Sequence, residues 1–130
     1  MNNNPSKVEP VLLEETLQGV RLLKLNRPAK KNALVNTLTR EIVRAIDDAS
    51  HDDAIRVIGI TGVGDAFCAG ADLNPQKSGD TKRASRSDTV DLVVQLVTGI
   101  RVLCQKPVIA GINGIAIGAG LSLAMCCDIR

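Results

Sequence analysis

A chain of 130 residues holds a single hydrophobic core, and with 45% hydrophobic and 23% charged residues it reads as one globular domain, not a disordered segment. A formal charge of +2 and a single aromatic residue, Phe67, exclude the basic patch and stacking platform of a nucleic-acid binder. Charges or glycines interrupt every apolar run before the roughly 18 residues that span a bilayer, so no membrane partner is expected.

The start, MNNNPSKVEPVLLEE, lacks the basic head, long apolar centre and cleavage site of a signal peptide, so a cytosolic protein with a frayed start over residues 1–10 is expected. Val11 to Leu13 is a short candidate strand, and Val20 to Leu25 alternates as a half-buried one, with Gly19 marking the turn between them. Asn26-Arg27-Pro28 breaks the second strand, and Ala29-Lys30-Lys31-Asn32 follows as a basic loop. A helix is expected from Thr37 to Ser50, with Leu38, Ile42, Ala45, Ile46 and Ala49 on one face. His51 sits at its polar end, where a solvated or helix-terminal role is expected. Val57 to Thr61 reads as a buried strand, and the alternation of strand, helix and strand indicates an α/β domain.

Gly62 to Leu73, GVGDAFCAGADL, is a loop of glycines and alanines whose small side chains let a ligand approach the main chain. It lacks the third glycine of G-x-G-x-x-G, and no Gly-Lys-Ser/Thr occurs, so the common phosphate loops are excluded. Pro75 to Asp88 has the polar composition of a mobile surface loop, and its Lys77, Lys82, Arg83 and Arg86 read as solvated charges or as the entry for an anionic ligand. Val90, Val93, Val94, Val97, Ile100 and Leu103 then fall at helical spacing. The four cysteines, Cys68, Cys104, Cys126 and Cys127, have no C-x-x-C spacing and read as buried reduced thiols, with no metal site.

Lys106 to Asp128, KPVIAGINGIAIGAGLSLAMCCD, is the stretch on which the rest depends. Pro107 suits the first residue of a strand, and Val108 to Ile112 reads as that strand, buried on both faces. Asn113-Gly114 turns the chain, and Gly118-Ala119-Gly120 feeds a buried helix over Leu121 to Cys127. Unpaired N–H groups at such a helix start converge on a spot that favours an oxyanion.

LNRPAKKNAL at 25–34, GDAFCAGADL at 64–73 and the 106–128 stretch, in that order, resemble the enoyl-CoA hydratase/isomerase (crotonase) family from about Val20 onward. The resemblance implies a spiral of β-β-α units and a site for an acyl-CoA thioester where the two glycine-rich segments meet. Coenzyme A is then part of the substrate and no separate cofactor is implied. The backbone N–H groups of Ala71 and Ala119 would receive the thioester oxygen, with Ala69, Gly70 and Gly118 beside them. Asp72, Leu73 and Asn74 would line the pantetheine, and Lys30 and Lys31 would lie near the nucleotide.

In family hydratases a glutamate stands at the position of Ser122, and a serine hydroxyl is not a base near neutral pH unaided. The second family carboxylate, and the helical part that builds homotrimers or hexamers, would fall beyond Arg130, so an N-terminal part of the fold is expected. Gly120-Leu121-Ser122-Leu123-Ala124 also approximates a nucleophile elbow, but no histidine follows position 51, which removes a serine hydrolase. Enoyl-CoA hydration is the expected activity, with double-bond isomerisation and non-catalytic CoA binding as alternatives. An isomerase shuttles a proton with one base, so Ser122 suits it better than it suits a hydratase.

Overall fold

The computed structural model describes residues 8–74 and 86–130, with side chains from residue 90 onward in the second stretch. The frayed start, as far as position 7, and the 75–85 part of the expected mobile loop, with Lys77, Lys82 and Arg83, lie outside the described residues, as does the side chain of Arg86. Residues 86–88, expected in that loop, are already helical because the apolar spacing that follows draws the helix back over them.

Strands β1 (Leu12–Leu17) and β2 (Val20–Leu25) form an antiparallel hairpin, and Leu17 pairs with Val20 across Gln18-Gly19. Both turn residues have positive φ, at 50° and 84°, as a two-residue hairpin turn requires. β1 is longer than expected because its outer half is polar. It lies at the sheet edge, where Glu14 and Glu15 pair with Arg21 at 3.1 Å and Lys24 at 2.6 Å. β2 runs parallel to β3 (Val57–Gly62), and β3 runs parallel to β5 (Val108–Gly111), in the order β1-β2-β3-β5.

A smaller parallel pair, β4 (Ala66–Cys68) and β6 (Ile115–Ala116), forms a second layer, continued by a parallel bridge between Leu34 and Ala71. The chain thus takes three similar turns, each passing from the large sheet through the small layer into a helix. The helices are α1 (Asn36–His51), α2 (Arg86–Val97) and α3 (Ala119–Cys126), and α2 continues into a π-helical turn over Thr98–Leu103. This winding of strand, strand and helix is the mixed α/β architecture expected from the sequence.

The expected face of α1 holds, with Leu38, Ile42, Ala45, Ile46 and Ala49 all buried against the sheet. Three expectations are corrected. Along α2 and its π-helical turn, Leu92, Leu96 and Ile100 are buried, whereas Val90, Val94 and Leu103 are more than half exposed. Both stripes are apolar, and α2 packs against α1 and α3. The β5 segment is not buried on both faces: Val108 and Ala110 are enclosed, but the strand ends at Gly111 and Ile112 is exposed. The helix from the glycine-rich turn starts two residues earlier, at Ala119, and buries only its Leu123 and Ala124 side, leaving Leu121 and Met125 exposed.

Candidate active site

Three motifs distant in sequence meet at the small layer. Leu34 donates its N–H to the Gly70 carbonyl at 2.7 Å and accepts from the Asp72 N–H at 2.8 Å. This parallel bridge uses the Gly70 carbonyl and the Asp72 N–H, on either side of Ala71, but not the Ala71 N–H itself. From the third motif, Ile117 donates to the Cys68 carbonyl at 3.0 Å, Gly120 to Ile117 at 2.9 Å and Ser122 to Gly118 at 3.0 Å. Ala119 is the first residue of α3, so its N–H has no intrahelical partner. Among the described residues, neither the Ala71 nor the Ala119 N–H has a hydrogen-bond partner.

The two segments touch. A methyl group built on Gly70 would stand 3.5 Å from the Ala119 nitrogen and 2.7 Å from the Ile117 carbonyl oxygen. One built on Gly120 would fall 2.1 Å from the Cys68 carbonyl oxygen. Gly118 has φ 54° and ψ −124°, a conformation that side chains resist, and it leads directly into Ala119 at the head of α3. Ala71 is half-buried and Ala119 buried, so the arrangement can hold an oxygen bearing partial negative charge at a place poorly screened by water.

The other expected residues are distributed around this pair. Ala69 is half-buried and donates to Lys31 at 2.9 Å, while Leu73 and Asn74 are exposed just past the amide of Ala71. The Asp72 side chain faces inward, with one oxygen 2.9 Å from Arg27 and the other accepting from the Asn74 N–H at 2.9 Å. Lys30 is exposed, whereas Lys31 holds Asp65 at 2.7 and 2.8 Å and keeps its carboxyl below the usual 3.8. Ser122 bonds back to the Gly118 carbonyl at 3.3 Å, as a small helix residue does. His51 lies exposed at the end of α1, 2.9 Å from the Asp47 carbonyl. All four cysteines are free, and burial pushes the thiols of Cys68, Cys126 and Cys127 up, the last to about 12. No cluster fit to hold a metal occurs among the described residues, and none of their helices is long and apolar enough to cross a membrane.

Sequence reasoning missed the side chains that hold these segments. Asn32, fully buried with φ 56°, accepts from the Arg27 N–H at 2.9 Å and donates to the carbonyls of Val63 and Ala66 at 3.0 and 2.9 Å. Asn113 accepts from the Gly62 N–H at 3.0 Å and donates to the carbonyls of Gly62 and Gly64, both at 2.9 Å. Both asparagines read in sequence as loop or turn residues. The available signal was that each sits beside a tight turn, where an amide side chain can serve several main-chain groups.

Residues 15–130 match the family described as "Enoyl-CoA hydratase/isomerase". The 2,3-dehydroadipyl-CoA hydratase of Escherichia coli is 42% identical over 118 residues, covering 91% of this chain and 44% of that protein. The solved enoyl-CoA hydratase of Bacillus anthracis superposes with a TM-score of 0.78 at 30% identity, covering 93% of this chain and 46% of that one. A monofunctional enoyl CoA isomerase from M. smegmatis superposes with a TM-score of 0.73, also at 30% identity, covering 92% and 48%. The chain thus spans less than half the length of these relatives.

Proposed function

Because the chain belongs to the enoyl-CoA hydratase/isomerase family, we propose that its two glycine-rich segments hold an acyl-CoA thioester, with the N–H groups of Ala71 and Ala119 donating to the thioester oxygen. The observation that carries this reading is the pair of unengaged amides on two touching segments. Adding water at the β carbon, or moving a proton at the α carbon, drives electrons onto that oxygen. Donors already in place stabilise the resulting enolate more than the ground state. Loss of one such donor costs about 2.7–4 kcal/mol of transition-state stabilisation. On this reading the pantetheine would pass Leu73 and Asn74, which are exposed, and a phosphate would meet the exposed Lys30, while Lys31 would have to exchange Asp65 for it.

Hydration of a 2-enoyl-CoA is the reaction proposed first, in line with the printed activities of the E. coli and B. anthracis relatives. Double-bond isomerisation is the second, and Ser122 favours it: its hydroxyl is bonded to a carbonyl and supplies no base, and an isomerase needs one base where a hydratase uses two carboxylates. Assembly as homotrimers or hexamers belongs to the same proposal.

The test is the infrared spectrum of crotonyl-CoA, labelled with carbon-13 at the thioester carbonyl, bound to the chain. The carbonyl stretch is expected to move to lower wavenumber, and Ala119→Pro is expected to remove most of that shift. Proline is tolerated at the first helical position, so this variant deletes the donor with little cost to the helix. An unshifted carbonyl in the bound thioester overturns the reading. Turnover of crotonyl-CoA in water, or conversion of a 3-enoyl-CoA to its 2-enoyl isomer, separates the two reactions. A shifted carbonyl with neither product leaves a CoA-binding chain without catalysis.

A further inference from the structure

Arg27 follows β2, in the first motif, and Asp72 adjoins Ala71 in the second. The Arg27 guanidinium forks: Nη1 donates to the Ala33 carbonyl, and Nη2 lies 2.9 Å from Asp72 Oδ2. Each side chain is only 9% exposed. The fork therefore grips the residue just before Leu34 and the residue just after Ala71. Leu34 and Ala71 are themselves the two partners of the parallel bridge. Sliding or tilting one segment against the other would redirect the Ala71 N–H.

A buried ion pair contributes little net stability compared with apolar side chains of the same size, because both charges must be desolvated. What such a pair supplies well is direction, and a planar guanidinium with two fixed donors supplies more of it than an ammonium. Resting on the acyl-CoA reading above, we infer that Arg27 and Asp72 are a positioning pair for the Ala71 amide. Their effect on the amide passes through the bridge they clamp.

The experiment uses the same labelled crotonyl-CoA on Arg27→Lys and Asp72→Asn, reading the dissociation constant and the carbonyl shift separately. Arg27→Lys keeps the charge but cannot serve Ala33 and Asp72 in one plane. Displacements on the order of 1 Å cost about 100-fold where geometry governs the chemistry. Arg27→Lys is expected to bind within about threefold of the original chain while losing half or more of the carbonyl shift, and Asp72→Asn is expected to lose a similar share of the shift. Lys24→Gln, on the distant exposed pair with Glu15, is expected to change neither quantity. If the unaltered chain shows no shift, the acyl-CoA reading fails and this inference falls with it. If the unaltered chain shifts the carbonyl and both variants keep the full shift, only the positioning role is overturned. Failure of both variants to fold overturns it too, in favour of a pair that serves stability alone.

Discussion

At the scale of single residues, the two glycines around Ala119 answer different physical demands. Gly118 supplies a backbone conformation that side chains resist, with φ 54° and ψ −124°. Gly120 supplies room, since a β-carbon there would meet the Cys68 carbonyl oxygen at 2.1 Å. That oxygen belongs to main chain already bonded to Ile117, so it cannot swing aside. Gly120→Ala is expected to cost about 1–3 kcal/mol in a denaturant melt, the usual range for overpacking. It also moves α3 away from β4, so part of the bound carbonyl shift should go with it. The glycine-alanine-glycine run announced a close approach of something to the main chain. It could not say that the first thing to approach is another stretch of the same chain. Arg27, Asn32 and Asn113 were legible only as loop residues, because their partners lie in other motifs and no local pattern reports a bond that spans the fold.

At the scale of elements, α1 shows how one distant side chain completes a helix. Lys106, just before β5, donates to the Ala49 carbonyl at 2.7 Å and to that of Asp52, so it sits at the negative end of the helix dipole. Lys106→Met is expected to lower stability by about 1 kcal/mol. The denaturant midpoint should fall with an unchanged slope, and amide exchange in the last turn of α1 should quicken. The sequence identified α1 within one residue at each end, because its polar and apolar faces differ sharply. It placed a helix here but only part of its buried side: Ile100 of the expected set is buried and Val93 packs on the core, whereas Val90, Val94 and Leu103 are exposed and Leu92 and Leu96 are buried instead. With both stripes apolar, periodicity gives no ranking, and packing against α1 and α3 decides. The π-helical turn was equally illegible, since nothing in TGIRVL distinguishes it from ordinary helix.

At the scale of the whole molecule, the parallel order of β2, β3 and β5 follows from strand and helix alternation, and that much was legible. The second layer was not, because β4 and β6 are too short to show a period. Stability should depend on pH at both ends of the range. Asp128 accepts from the Val108 N–H at 2.9 Å and pairs with Arg101 at 2.6 Å, which together hold its carboxyl below the usual 3.8. In the folded chain it binds a proton less readily than when unfolded, so its contribution is present above that usual value and is lost as pH falls through the lowered one. Cys127 behaves oppositely: its contribution is present below the usual 9.0 and is lost as pH climbs toward about 12. Urea melts across pH should therefore decline in both directions, and Asp128→Asn should flatten the acid limb alone. The winding also sets an order in time. Residue 34 leaves the ribosome first, Ala71 joins it on the second lap, and Ala119 arrives only on the third. A growing polypeptide therefore carries an unfinished small layer, and the Gly70 and Ala119 segments meet only once that last lap has been laid down.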